Sequence, residues 1–238
     1  GVCVGAETLL RWKHPTRGIL YPAAFLELAV NTGLIVPIGA QVLRQACADA
    51  AHWGGEGIVS VNLSAREFQG SALLETVQDA LSRSGLPPQR LQLEVTETDL
   101  RAMAGDEPSQ PGGARPIKAL EALRAMGVQV ALDDFGAGAA SLSTLVDYEV
   151  DSLKIDPQFV SLLPNDKRAV TLVATMIHLA KRLRIQVVAE GIESETQREF
   201  LSRMGCAQGQ GYALARPDTA EHVAAVMAAA PKVRRMHK

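Results

Sequence analysis

The chain has 238 residues, 47% of them hydrophobic, and a formal net charge of −2 with no basic stripe. That length and apolar content suffice for one barrel-sized core or two smaller ones, and the charge argues against binding long nucleic acids through their phosphates. Cys3, Cys47 and Cys206 form neither a disulfide framework nor a zinc signature, no apolar run reaches the ~18 residues that cross a bilayer, and no signal-peptide pattern leads the chain, so the expected setting is the reducing cytoplasm.

In chain order, VCVGAE reads as a buried strand, and Pro22–Thr32 has helical spacing with Gly33 after its end. Pro37–Trp53 repeats the pattern, with Ile38, Val42, Leu43 and Cys47 on one face. Strand Ile58–Leu63, helix Ser71–Ser84 and strand Leu91–Thr96 follow. The stretch 104–116, rich in Gly and Pro, reads as a flexible insertion. Helix Ile117–Met126, strand Val128–Leu132, a short helix near Leu142 and strand Ser152–Ile155 come next. Helix Lys167–Leu183, strand Ile185–Ala189, helix Glu195–Met204, strand Gly211–Ala215 and helix Thr219–Ala229 complete the pattern. Residues 1–230 are thus expected to form one domain, with 231–238 a solvated basic tail.

Seven strands alternating with helices imply a parallel sheet covered by helices, either open or closed into a barrel. In VNL, LEV and LKI a polar residue is flanked by apolar ones, so Asn62, Glu94 and Lys154 point opposite to their neighbours. An open doubly wound sheet would want apolar residues on both faces. A barrel instead lets inward polar groups gather near its C-terminal mouth, and no Gly-rich phosphate fingerprint follows the first strand. A TIM-like α/β barrel is therefore expected, one strand short of eight. Glu7, Asn62, Glu94, Asp133, Asp134 and Glu190 all fall at strand ends. If the strands are parallel and closed, five acids converge on one place. They cannot all stay ionised there without cations, which makes a multi-metal site the first hypothesis.

Taken singly, each residue has a plainer reading. Glu7, Glu94 and Glu190 could be ion-pair partners at strand ends, Asp133–Asp134 and Asn62 turn formers, and Lys154 a salt-bridge partner of Asp156. His14 in KHPTRG reads as a turn residue, and Trp12 as a core residue or an aromatic face offered to a ligand.

The ordered motifs GAETLLRW, VNLS, LEVTE, DDFGAG, LKID, AEGIE and QGY resemble the EAL-domain family of cyclic di-GMP phosphodiesterases over essentially the whole chain. The resemblance implies a TIM-like barrel whose first strand runs antiparallel to the rest. That strand is expected upstream of Gly1. It further implies cleavage of cyclic di-GMP to linear pGpG with two Mg²⁺ or Mn²⁺ ions in bacterial second-messenger signalling. By the same carry-over, Glu7, Asn62, Glu94 and Asp133 match the ligands of one metal, and Asp133 bridges to a second held by Asp134 and Glu190. Lys154 matches the lysine beside the attacking water, Gln210 a water-holding glutamine and Arg11 a phosphate-contacting arginine. Glu193 supports the site, Glu97 tethers the loop after Asp134, and Asp156 orients Lys154. The implied partners are cyclic di-GMP, a second copy of the chain, and fused sensor or diguanylate cyclase domains in a larger soluble or membrane-anchored protein.

This inventory suits the chemistry. Two ions about 3.5–4 Å apart can clamp the attacking and leaving oxygens of an in-line displacement. Hard oxygen donors without Cys or His favour Mg²⁺ or Mn²⁺. Lys154 could act as a fixed ammonium or, with a depressed pKa, in proton transfer.

Two departures stand out. Thr8 replaces the alanine of the signature, and Ala137, Ala139 and Ala140 replace the usual Thr, Tyr and Ser in loop 133–141, which in the family couples metal binding to dimerisation. Weak activity, or a receptor that binds cyclic di-GMP with little turnover, is the alternative to a full phosphodiesterase. A barrel aldolase with Lys154 as Schiff base is a third reading, disfavoured by the acids around it.

Overall fold

The computed structural model describes residues 1–53, 55–67, 72–104, 114–137 and 142–229. Its strands follow the order β1 (5–8), β4 (58–62), β5 (91–96), β6 (129–135), β7 (152–155), β8 (186–189) and β9 (208–209), and a separate two-stranded hairpin, β2 (12–14) with β3 (18–20), lies outside that order. The described residues divide into two compact units: those within 1–93, 103–128 and 218–229 form one, and those within 94–102 and 129–217 the other. The division falls inside β5 (Leu91–Thr96).

In the first unit β1 (Gly5–Thr8) pairs parallel to β4 (Ile58–Asn62). Gly5 is required there, because a Cβ would lie 2.6 Å from the Ile58 carbonyl oxygen. The hairpin β2 (Trp12–His14) and β3 (Gly18–Leu20) was not foreseen. His14 makes its turn: Nδ1 accepts the backbone N–H groups of Thr16 and Arg17, each at 3.2 Å. The expected helix over 22–32 is a single 3₁₀ turn at Pro22–Ala24 followed by α1 (Leu26–Thr32), which ends at Gly33 with φ 80°. α2 (Ile35–Ala51) buries Leu43, Cys47 and Ala50, and α3 (Ala72–Ser84) buries Leu73, Val77, Ala80 and Leu81. These apolar stripes, three to four residues apart, pack against each other and form the core of this unit. α5 (Ala114–Ala125) and α10 (Ala220–Ala229) add Leu120, Leu123 and Met227.

The second unit begins with Glu94 and continues through all but the last two residues of α4 (Glu97–Ala104), β6 (Gln129–Phe135), α6 (Leu142–Asp147), β7 (Ser152–Ile155) and α7 (Pro157–Ser161). It closes with α8 (Lys167–Leu183), β8 (Gln186–Ala189), α9 (Glu195–Arg203) and β9 (Gln208–Gly209). β6, β7, β8 and β9 pair in parallel. α8 starts where the Asp166 carboxylate accepts the N–H groups of Arg168 and Ala169, and it buries Val173, Ile177 and Ala180.

Several boundaries differ from the sequence expectation. The strand expected at 211–215 is a turn: Leu214 and Ala215 donate back to the Gly211 carbonyl, and the short β9 lies upstream of it. Gly211 passes so close to the Ile192 backbone that a Cβ would sit 2.2 Å from its oxygen, which bends the chain out of the sheet. α4 was missed; Thr96 caps it, accepting the Asp99 N–H while its hydroxyl donates to the Asp99 carboxylate. The ends of the insertion read over 104–116 are helical, Ala104 closing α4 and Ala114–Pro116 opening α5, while 105–113 and the tail 231–238 lie outside the described residues. Among the described residues no single helix is long and apolar enough to cross a membrane.

Candidate active site

In the first unit Glu7 and Asn62 stand toward the C-terminal ends of two adjacent parallel strands. Asn62 Nδ2 donates to Glu7 Oε1 at 2.7 Å. With its amide nitrogen committed to the carboxylate, Asn62 keeps its carbonyl oxygen as the atom to offer a cation.

The second unit holds a buried charged cluster. Lys154, on β7, is 3% exposed, and its Nζ lies 2.6 Å from Glu94 Oε2, 2.8 Å from Glu190 Oε1 and 3.4 Å from Asp133 Oδ1. Strand alternation explains its aim: Leu153 and Ile155, fully buried, take the opposite face. Glu190 directly follows β8 and is fixed by its backbone N–H, which donates to the Ile155 carbonyl at 3.1 Å. One ammonium faces three carboxylates, so the cluster carries an excess of negative charge that a divalent cation would offset.

Asp133 and Asp134 are consecutive, and on a regular strand they would face opposite sides. The β6–β7 register is interrupted between Leu132 and Phe135, and Asp134 adopts φ 52°. This bulge turns both acids the same way, and Asp is among the few residues that tolerate the left-handed region. Carboxylate oxygens of Asp133, Asp134 and Glu190 consequently lie within 4.8 Å of one another. That span is near the ~4 Å between opposite ligands of an ion with bonds of ~2.1 Å. An all-oxygen donor set of this kind fits Mg²⁺ or Mn²⁺.

The loop after these acids is anchored at its start. Ala137 N–H donates to the Asp134 carbonyl, and Gly136, at φ 99°, lies so close to Met176 and Phe159 that a Cβ would reach 2.7 Å from each. Ala139 and Ala140, two of the family departures, lie outside the described residues. Beyond the loop, the Thr144 hydroxyl in α6 donates to Glu97 Oε1 at 3.0 Å.

The remaining sequence candidates take varied positions. Asp156 caps α7 by accepting the Gln158 N–H at 2.7 Å. Glu193 is exposed, and its backbone N–H donates to Gln197. Gln210 spans the end of β8 through its backbone: its N–H donates to Ala189 O, and its carbonyl accepts from Ile192 N–H. Arg11 lies just before β2 on the surface of the first unit, its guanidinium 4.7 Å from the centre of the Tyr21 ring.

One supporting residue was missed. Gln197, buried at 8% exposure, accepts the N–H groups of Glu193 and Ser194 and donates to the Val160 carbonyl. It thereby ties the segment after Glu190 to α7, the helix that follows Lys154. The Ser194-x-x-Gln197 capping box was the legible signal for it.

Fold and site together define a parallel α/β protein with a lysine held among strand-end carboxylates suited to divalent cations. The chain belongs to the EAL domain family, whose model matches residues 1–217. It is 42% identical, over 96% of its length, to a Pseudomonas aeruginosa protein described as the bifunctional diguanylate cyclase/cyclic di-GMP phosphodiesterase MucR. The solved phosphodiesterase of P. aeruginosa MucR, in complex with c-di-GMP, is 41% identical with a TM-score of 0.81, covering 92% of this chain and 87% of that one. Klebsiella pneumoniae BlrP1, solved with manganese and c-di-GMP, is 28% identical with a TM-score of 0.74, over 87% of this chain and 50% of that one. The α/β, TIM-like fold class expected from the sequence is thus the one observed. The chain spans about a quarter to a third of the length of curated relatives it matches.

Proposed function

We propose that this chain hydrolyses cyclic di-GMP to linear pGpG with two Mg²⁺ or Mn²⁺ ions. The observation that carries the reading is the Lys154 cluster, with Glu94, Glu190 and Asp133 within 3.4 Å of one ammonium, beside the Asp133–Asp134–Glu190 triad. Following the family, Glu7, Asn62, Glu94 and Asp133 would hold one ion, and Asp133, Asp134 and Glu190 would hold the other. When bound, such ions supply Lewis acidity for activating water and offset charge on the phosphodiester. Lys154 places a fixed positive charge where the attacking oxygen becomes anionic, already oriented before reaction. Arg11 grips a phosphate, Gln210 orients water, and Glu97, Asp156 and Glu193 support the loops around them. In the cell the chain works in the cytoplasm as a homodimer, fused to sensor or diguanylate cyclase domains.

Incubation of purified protein with cyclic di-GMP and Mg²⁺ or Mn²⁺, followed by chromatography for pGpG, tests this. Product from the wild type and none from Glu7→Ala is the expected result. Tight binding without product, identical in both proteins, would leave a cyclic di-GMP receptor as the function, the role suggested by the alanines of loop 133–141.

A further inference from the structure

Arg11 stands immediately before β2 and Tyr21 immediately after β3. The antiparallel register pairs His14 with Gly18, Lys13 with Ile19 and Trp12 with Leu20, so one further step sets Arg11 across from Tyr21. Cross-strand pairs on one face are the contacts a hairpin uses, and here the two side chains meet: the guanidinium carbon lies 4.7 Å from the centre of the tyrosine ring. That is within cation–π range. Arg11 Nη1 also donates to the Leu10 carbonyl at 2.8 Å, so the guanidinium is held from two directions.

The kind of contact matters. A ring attracts the cation without consuming an N–H donor as a carboxylate would, and it does not neutralise the charge. The remaining guanidinium donors stay available for the oxygens of an anion. Tyr21 is itself 62% exposed, so its ring is not part of the hydrophobic core.

We propose that Tyr21 is a positioning residue that holds Arg11 ready for a phosphate of cyclic di-GMP. This rests on the reading of Arg11 as a phosphate contact given above. A long surface arginine otherwise loses rotamer freedom when it binds, and a prior restraint removes part of that cost. Because the phosphate is gripped in substrate and transition state alike, Tyr21 acts on KM and not on kcat.

The test compares wild type, Arg11→Ala, Tyr21→Ala and Tyr21→Phe. Cyclic di-GMP affinity is measured by calorimetry in EDTA, KM and kcat with Mn²⁺, and stability by thermal melting. Tyr21→Ala is expected to raise Kd and KM about two- to five-fold, the size of an exposed cation–π contact, at unchanged kcat and melting temperature. Tyr21→Phe, which keeps the ring face, is expected to match the wild type, and Arg11→Ala to bind more weakly than Tyr21→Ala. Wild-type Kd and KM in Tyr21→Ala overturn the proposal, as does Tyr21→Phe failing as badly as Tyr21→Ala. A wild type that binds cyclic di-GMP while Arg11→Ala binds equally well overturns it too, yet leaves the phosphodiesterase reading intact. A wild type that neither binds cyclic di-GMP nor turns it over with Mn²⁺ overturns both.

Discussion

Replacing Lys154 with methionine keeps the length and volume of the side chain and removes one buried charge. The ammonium lies 2.6, 2.8 and 3.4 Å from oxygens of Glu94, Glu190 and Asp133. At an effective dielectric of about 20, each contact represents roughly 5–6 kcal/mol of gross Coulomb attraction. Desolvation of the lysine offsets most of that sum. What remains is the cost of stranding carboxylates beside one another in a buried site, about 3–5 kcal/mol. For a chain of this size each kcal/mol moves the melting point by about 2–4 °C, so Lys154→Met should melt roughly 6–20 °C below the wild type in EDTA. Mn²⁺ should raise the variant's melting point by more than it raises the wild type's, because a bound cation offsets the same repulsion the lysine does. The assay is thermal melting by circular dichroism across a Mn²⁺ titration, with pGpG formation measured in parallel. A variant that melts within 2 °C of the wild type without metal would refute the electrostatic account of this cluster, whatever happened to its activity.

Gln197→Ala should cost about 2–4 kcal/mol in urea denaturation, since it leaves a buried carbonyl and two backbone N–H groups without their partner; a loss below 0.5 kcal/mol would show that water takes over these bonds. Cys47 gives a prediction at high pH. Burial within α2 pushes its thiol from 9.0 up to about 11, so the unfolded chain loses this proton first as pH rises. The stability associated with the protonated thiol is therefore complete below pH 9 and falls between pH 9 and about 11, by about 3 kcal/mol. Cys47→Ala should show a shallower alkaline decline, and parallel curves for the two proteins would contradict this.

Much of the chain was legible because its signals are local. α8 matches its expected bounds, since Asp166 marks its start and Val173, Ile177 and Ala180 recur at helical spacing. Asn62, Glu94 and Lys154 could be marked as facing away from their apolar neighbours because strand alternation has a period of two. What escaped were features set by partners distant in sequence. The turn at 211–215 looks like a strand until the Ile192 backbone closes on Gly211. Gln197 reads as half of a capping box, and only packing against α7 gives it the Val160 carbonyl.

The sequence by itself determined which side chains carry the chemistry: strand-end acids, a lysine between apolar neighbours, and the ordered motifs of one family. Tertiary structure decided how they meet. Adjacent aspartates on a strand point to opposite faces by local geometry. They act together here because the β6–β7 pairing breaks at Leu132–Phe135 and lets Asp134 take φ 52°. The choice of Glu94 and Glu190 as the closest partners of Lys154, 60 residues away in one case, likewise follows from parallel strand pairing, a long-range interaction that no local pattern encodes.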